Sequence, residues 1–255
     1  MRKKEVIIYQ PWGGLGDNLA HTTIPRLCQD LGYKCLLSNH NKFKNQDIFD
    51  LLYKDLDCID GVTDKINDSW QNYDQVNQPG WNHIRHVQVG YGFKSAPFYY
   101  PIINYQPKFI EELKNATLVD LSGEHCYTYY PELYNKENIL KITNRIIELE
   151  KYKNILTIEK NNYENIDIKV PSESYNINSL FDYADAIFSC KNFICIDSGQ
   201  GNLACTIKNQ FKTSLNIFII GMSFQLPPKK YDTYNYINAN YITSDTHEII
   251  KRHED

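Results

Sequence analysis

Two glycine-rich turns carry the residues best placed to do chemistry. The first runs Gly13-Gly14-Leu15-Gly16-Asp17-Asn18, after the apolar Val6-Ile7-Ile8-Tyr9 and before a helical pattern. The second runs Asp197-Ser198-Gly199-Gln200-Gly201-Asn202, again between an apolar run, Ile194-Cys195-Ile196, and a helical pattern. A strand that turns through glycines into a helix leaves backbone N–H groups facing outward at the positive end of the helix dipole, which makes an anion site. Glycine permits the tight turn and the close approach of a ligand, although a plain strand–helix connection uses it too. Neither turn is a G-x-G-x-x-G fingerprint, and no Lys-Ser/Thr pair follows as in a Walker A loop, so ATP hydrolysis is not expected. Two such turns suggest two α/β halves facing a shared cleft around a phosphorylated ligand.

The elements that must hold these turns alternate between strand and helix signals, which favours parallel sheets with helices on both faces. Strands are expected over 5–10, 34–38, 58–59, 117–122, 154–159, 166–170, 193–196 and 215–220. Helices are expected over 17–31, stopped by Gly32, and over 46–54, 136–150, 177–188, 199–208 and 244–253. The last of these carries Asp245 and Glu248 in capping-box fashion and is expected to pack back on the first half. Residues 70–92 mix turn signals with Ile84-Arg85-His86-Val87-Gln88-Val89 and read as a surface segment. Pro97, Pro101 and Pro107 disfavour helix and mark an extended linker. The expected domains are 1–110 and 111–255, each Rossmann-like.

Composition narrows the class. The formal charge of −4 and a pI near 6.0 argue against a nucleic-acid partner, which favours a basic face. No apolar stretch approaches the ~20 residues of a bilayer-spanning helix, and the N-terminus lacks a signal-peptide pattern. No transmembrane segment is expected, and peripheral contact with a membrane stays open. The seven cysteines show no CxxC spacing, so no zinc site is expected. Reduced thiols and a cytoplasmic location are the expectation. The scattered His and Cys make no metal constellation.

Gly13-Gly14-Leu15-Gly16-Asp17-Asn18-Leu19 followed by Thr22-Thr23-Ile24-Pro25 resembles the N-terminal signature of the ADP-heptose:lipopolysaccharide heptosyltransferases of glycosyltransferase family 9. Independently, Ser179-Leu180-Phe181-Asp182-Tyr183-Ala184-Asp185-Ala186, then Phe193 to Gly199, then Asn202-Leu203-Ala204 resembles that family's donor-binding segment. The resemblance implies the GT-B architecture of two Rossmann-like domains. It also implies an inverting, metal-independent transfer of a sugar from a nucleotide-activated donor to a glycan, lipid-linked or protein acceptor. No cofactor is implied beyond the nucleotide sugar as substrate. The chain departs from the family in being shorter, in the spacing between the Asp17 turn and Pro25, and at two residue positions. Asn202 stands where histidine is usual, and Asp120-Leu121-Ser122-Gly123-Glu124-His125 lacks the lysine or arginine often found there.

The resemblance places the family's general base at Asp17, taking the acceptor's hydroxyl proton. The competing reading is a helix N-cap, and the helix N-terminus is expected to lower its pKa and keep it ionised. Asp197, Ser198, Gly199, Gly201 and Asn202 form the expected donor-diphosphate turn, with Ser198 and the N–H groups donating. Asp197, as an anion, fixes the turn or receives a sugar hydroxyl. Gly13, Gly14 and Gly16 line the acceptor side. Ser122, Gly123 and His125 follow the first strand of the second half, where a phosphate or sugar contact competes with a surface turn. Glu159 ends a strand where the family often holds ribose. His21 is read as a packing or acceptor-site residue. The aromatics 98–100 and 129–130 could stack sugars, or simply pack. Two other readings stand beside the transferase: a non-catalytic nucleotide-sugar or phosphate-binding module, and a nucleotide-sugar hydrolase or epimerase on the same fold.

Overall fold

A computed structural model describes residues 4–68, 83–129, 131–132, 134–160, 170–221, 239–243 and 249–251. The chain falls into two compact units that divide between Tyr105 and Gln106. Both are α/β.

In the first unit β1 (Glu5–Ile8), β2 (Lys34–Ser38) and β3 (Gly61–Thr63) form a parallel sheet in the order β1-β2-β3. The helices are α1 (Leu15–His21), α2 (Thr23–Asp30), α3 (Gln46–Leu52) and α4 (His83–Gly90). The single helix expected over 17–31 is therefore two. Pro25 has no N–H to give the carbonyl four residues back, at His21. The Thr22 and Thr23 hydroxyls donate instead to the carbonyls of Leu19 (2.7 Å) and Ala20 (2.9 Å), bending the chain between the helices. Asn45 caps α3, its side chain accepting from the Ile48 N–H at 3.1 Å. β3 begins at Gly61 rather than ending before it. The Ile84–Val89 stretch is helix, burying Ile84, His86, Val87 and Gln88. Residues 97–107 form neither helix nor strand, as their prolines require.

The second unit is built on a sheet of order β10-β9-β8-β7-β4-β5-β6. Its strands are β4 (Thr117–Asp120), β5 (Ile155–Lys160), β6 (Glu173–Ile177), β7 (Asn192–Ile196), β8 (Asn216–Gly221), β9 (Asn240–Thr243) and β10 (Ile249–Lys251). All pairs are parallel except β9–β10. The helices are α5 (Glu124–Tyr129), α6 (Lys136–Glu150), α7 (Leu180–Ser189) and α8 (Gly199–Phe211). The strands alternate faces. Val119, Ile194, Ile196, Phe218 and Ile220 pack with Ile139, Ile142 and Ile146 of α6. On α8, Gly201 lies against Cys195 and Ile219, the opposite-parity residues of the same strands. Helices thus cover both faces, as a nearly all-parallel sheet demands.

Two expectations fail here, and a third falls almost wholly outside the described residues. Residues 249–251 are an antiparallel edge strand, not part of a terminal helix. The pair Ile249-Ile250 is β-branched and finds a strand edge to complete; the rest of the expected helix, 244–248 and 252–253, lies outside the described residues. The strand expected over 166–170 also lies outside them, save Val170, which is not in a strand. The strand that follows β5 is Glu173–Ile177, whose exposed, polar sequence hid it, and it takes Ile177 from the expected helix. Ser179 then caps α7 by accepting from the Asp182 N–H at 3.1 Å. All seven cysteines are free. Among the described residues no helix is long and apolar enough to cross a membrane.

Candidate functional site

In the first unit, buried side-chain amides hold the glycine turn from beneath. Gln10 Oε1 accepts from the N–H groups of Trp12 and of Gly13, the latter at 3.3 Å. Asn18 Nδ2 donates to the carbonyls of Gly14 (2.9 Å) and Lys42 (3.4 Å). The backbone N–H groups of Lys42 and Lys44 donate to the carbonyls of Gln10 (2.8 Å) and Gly13 (2.9 Å). The turn after β1 and the loop after β2 are therefore one hydrogen-bonded piece. Gly13 has φ +76°, in the left-handed region, and a Cβ there would also press on the Lys44 nitrogen at 3.3 Å. Gly16 is buried in the first turn of α1.

Asp17 is half-buried at the third position of α1; the N-cap is Gly14, so the capping reading of Asp17 does not hold. The carboxylate folds back over the cap. A Cβ on Gly14 would sit 2.7 Å from Asp17 Oδ2, so a larger residue there would turn the carboxylate aside. Burial pushes the Asp17 pKa up from 3.8 to about 6, the reverse of the expected lowering. The magnitudes explain the reversal. A helix N-terminus favours an anion by about 0.3–1 kcal/mol, whereas a rise of two pKa units corresponds to about 3 kcal/mol, so desolvation wins. His21 is a packing residue. It is fully buried, its Nδ1 lies 2.8 Å from the Asp17 carbonyl, and its ring meets Tyr91 edge-on at 5.7 Å. Burial lowers its pKa to about 4. Tyr99 bonds Asp30 beneath Arg26, and the exposed Phe98 meets Tyr100 edge-on at 4.9 Å.

In the second unit the chain leaves β4 for β5 and β6 on one side, then returns to β7 and β8 on the other. β4 and β7 thus flank a topological switch point, and open α/β sheets bind ligands outside the carboxyl ends of such strands. The second glycine turn leaves β7 there. Ser198 is the N-cap of α8 but makes no capping bond with its side chain. Its hydroxyl is bonded to Gln200 Oε1, while Gln200 Nε2 donates to the Ser122 carbonyl. Asp197 is half-buried, its carbonyl accepting from Cys126 Sγ at 3.1 Å. Across the switch point, a Cβ on Gly123 would overlap Ile196 Cδ1, so glycine lets the loop after β4 close on β7.

The structure also gives the surroundings of the other expected residues. A Cβ on Gly201 would crowd Ile219 Cδ1 (3.2 Å) and Cys195 Sγ (3.3 Å); this glycine lets α8 seat closely on the sheet. Asn202 is buried, with Nδ2 unpartnered among the described residues. Glu159 Oε1 accepts from Ser174 Oγ at 2.6 Å on the neighbouring strand. The side chains of His125 and Tyr129, and all of Tyr130, lie outside the described residues; the backbone of His125 is in α5.

Sequence reasoning missed a polar cluster at the same strand ends. Lys160 Nζ lies 2.6 Å from Asp120 Oδ2 and donates to Ser122 Oγ at 2.7 Å. Asp120 Oδ1 accepts from the Ser122 N–H (3.0 Å) and hydroxyl (2.6 Å), and Oδ2 accepts from the Tyr183 hydroxyl. The ammonium also lies 5.0 Å from the centre of the Tyr183 ring. Burial alone would raise the Asp120 pKa, but Lys160, Ser122 and Tyr183 outweigh it and hold the carboxyl below its usual range. The one signal available beforehand was an aspartate ending an otherwise apolar strand. Among the described residues, no group of three or more His, Cys, Asp or Glu side chains is placed to hold a metal.

No protein-family model matches the sequence, and no curated protein matches it. Solved structures do match in fold. One is the dodecameric iron-containing heptosyltransferase TibC of enterotoxigenic E. coli H10407, seen in complex with ADP-D-β-D-heptose, at TM-score 0.59 and 15% identity over 92% of this chain. The chain spans 62% of TibC's length. A glycosyltransferase of family 9 from Veillonella parvula DSM 2008 matches at TM-score 0.51 and 11% identity, over 95% of this chain and 86% of that one. E. coli heptosyltransferase WaaC, seen with ADP, matches at TM-score 0.50 and 10% identity, over 94% and 93%. The class of fold is thus GT-B. More particularly, it is the heptosyltransferase-like fold of glycosyltransferase family 9.

Proposed function

We propose that the protein is a glycosyltransferase that moves a sugar from a nucleotide-activated donor to a hydroxyl acceptor, with inversion and without a metal. The observation that carries this reading is the second glycine turn at the switch point of a doubly wound sheet, in a chain with the heptosyltransferase-like fold. The nucleotide sugar is a substrate, not a resident cofactor. Its diphosphate sits against Ser198, Gly199 and the first turn of α8, whose N–H groups stabilise charge on the departing nucleoside diphosphate. Ser122 and Gly123 form the opposite wall. TibC is described with ADP-D-β-D-heptose and WaaC with ADP, which supports a nucleoside diphosphate as the donor's carrier.

Asp17 is the general base. Its carboxyl, near pKa 6, is ionised at neutral pH and a stronger proton acceptor than an ordinary aspartate. As the acceptor hydroxyl attacks the anomeric carbon, Asp17 takes its proton and the sugar–phosphate bond breaks. The test has two stages. A thermal-shift screen over nucleoside diphosphates and their sugars identifies the donor, since a ligand at ~100 times its Kd adds about 2.7 kcal/mol of stability. Acceptor-dependent release of the nucleoside diphosphate then separates transfer from mere binding and from hydrolysis. A protein that none of these nucleotides stabilises, or that releases the diphosphate without any acceptor, refutes the proposal.

A further inference from the structure

We propose that Lys160 supplies the positive charge for the donor's diphosphate, with Asp120 and Tyr183 as the residues that position it. The inference rests on the donor site proposed above. That site has a charge problem on its own terms. The turn 197–202 offers N–H groups but no cation, it carries the anionic Asp197, and the loop 120–125 has no lysine or arginine. A diphosphate entering a crevice between strand ends needs a counter-charge.

Topology identifies the supplier. Among the described lysines and arginines of the second unit, Lys160 is the one at the carboxyl end of a parallel strand, at the same end of the sheet as Asp120 and Ile196. It is also linked to the anion-binding turn. Lys160 Nζ donates to Ser122 Oγ at 2.7 Å, and Ser122 in turn accepts from Gln200 in the first turn of α8. The ion pair has a direction. The Asp120 side chain is 1% exposed and that of Lys160 14%, so the carboxylate lies behind the ammonium and the pair presents its positive end outward. Asp120 is further satisfied by Ser122 and Tyr183. It can therefore remain an anion and hold the lysine in place when a phosphate oxygen takes one of the ammonium's hydrogen bonds.

The experiment is calorimetric titration with inorganic pyrophosphate, and with ADP, GDP, UDP and CDP, of wild type, Lys160→Gln, Lys160→Arg and Gly199→Leu. Loss of a charge-assisted hydrogen bond predicts that Lys160→Gln weakens pyrophosphate and diphosphate binding on the order of 10- to 100-fold, while Lys160→Arg restores most of it. Lys160→Gln leaves Asp120 buried without its cation and could unfold. The double variant Asp120→Asn/Lys160→Met removes both charges and keeps the volume; it should fold and show the same loss. Binding lost in Gly199→Leu but unchanged in Lys160→Gln or in the double variant overturns the role of Lys160 and leaves the donor site standing. Failure of wild type to bind any of the five probes overturns the donor site, and the lysine's role with it.

Discussion

Asp17→Asn tests the proposed base with two readouts that a purely structural residue could not produce together. Folding moves the carboxyl from an unfolded pKa of ~3.9 to about 6. Between those values the native state binds more protons than the unfolded chain, so stability falls as pH rises through that window and stays lower above it. Two units amount to about 3 kcal/mol. Because the carboxyl is only half-buried, solvent screens part of this, and about 1–3 kcal/mol is the expected range. Asparagine has the same shape and no charge to desolvate. At pH 8 the variant should therefore be more stable than wild type by that amount, and the advantage should vanish near pH 4. Urea denaturation of both proteins at pH 8, 6 and 4.5 measures this, and the histidines common to both cancel in the difference. In the same variant, turnover at pH 8 should fall by a factor on the order of 10²–10⁴. A variant less stable than wild type at pH 8 would refute the desolvation argument. Near-normal turnover would assign the proton to another group.

The wild-type kcat/KM should rise with pH through about 6 and level off above it, as Asp17 ionises; a flat profile from pH 5 to 8 would contradict the assignment. Gly14→Ala places a Cβ 2.7 Å from Asp17 Oδ2 at a cap residue with the permissive φ of −67°. It should lower turnover tenfold or more (about 1.4 kcal/mol) with little change in denaturation midpoint. His21, held neutral with its pKa near 4, is protonated first in the unfolded chain. Stability should therefore fall as pH drops from ~6.5 to ~4, and His21→Gln should flatten that part of the acid-denaturation curve. Gly123→Ala should destabilise the second unit by about 1–3 kcal/mol through overlap with Ile196, read as a lower urea midpoint.

The sequence by itself determined the alternation of strands and helices, the α/β class and the two strand–glycine–helix turns. These are local properties: β7 is apolar from Phe193 to Ile196, α6 has its apolar residues at helical spacing under an Asn135 cap, the second turn follows directly on β7, and the first follows shortly after β1. It also determined Asp17 as the carboxylate of the first turn. Where two local tendencies were close, tertiary partners decided. Ile249-Ile250 became strand because β9 offered an edge, and Glu173–Ile177 became strand because β5 offered another, despite a polar sequence that predicts neither burial nor period. The environment of Asp17 was likewise invisible, since its pKa depends on what surrounds it, and burial outweighed the helix dipole that the sequence alone suggests. The packing of Gly201 against Ile219 was not legible either, because it depends on how α8 seats on the sheet. Least legible was the cluster of Asp120, Ser122, Lys160, Tyr183 and Gln200, drawn from β4, β5, α7, α8 and the loop after β4. No spacing rule joins residues as much as 80 positions apart. Parallel pairing brings Asp120 and Lys160 to the carboxyl ends of adjacent strands, and only the folded chain makes them neighbours.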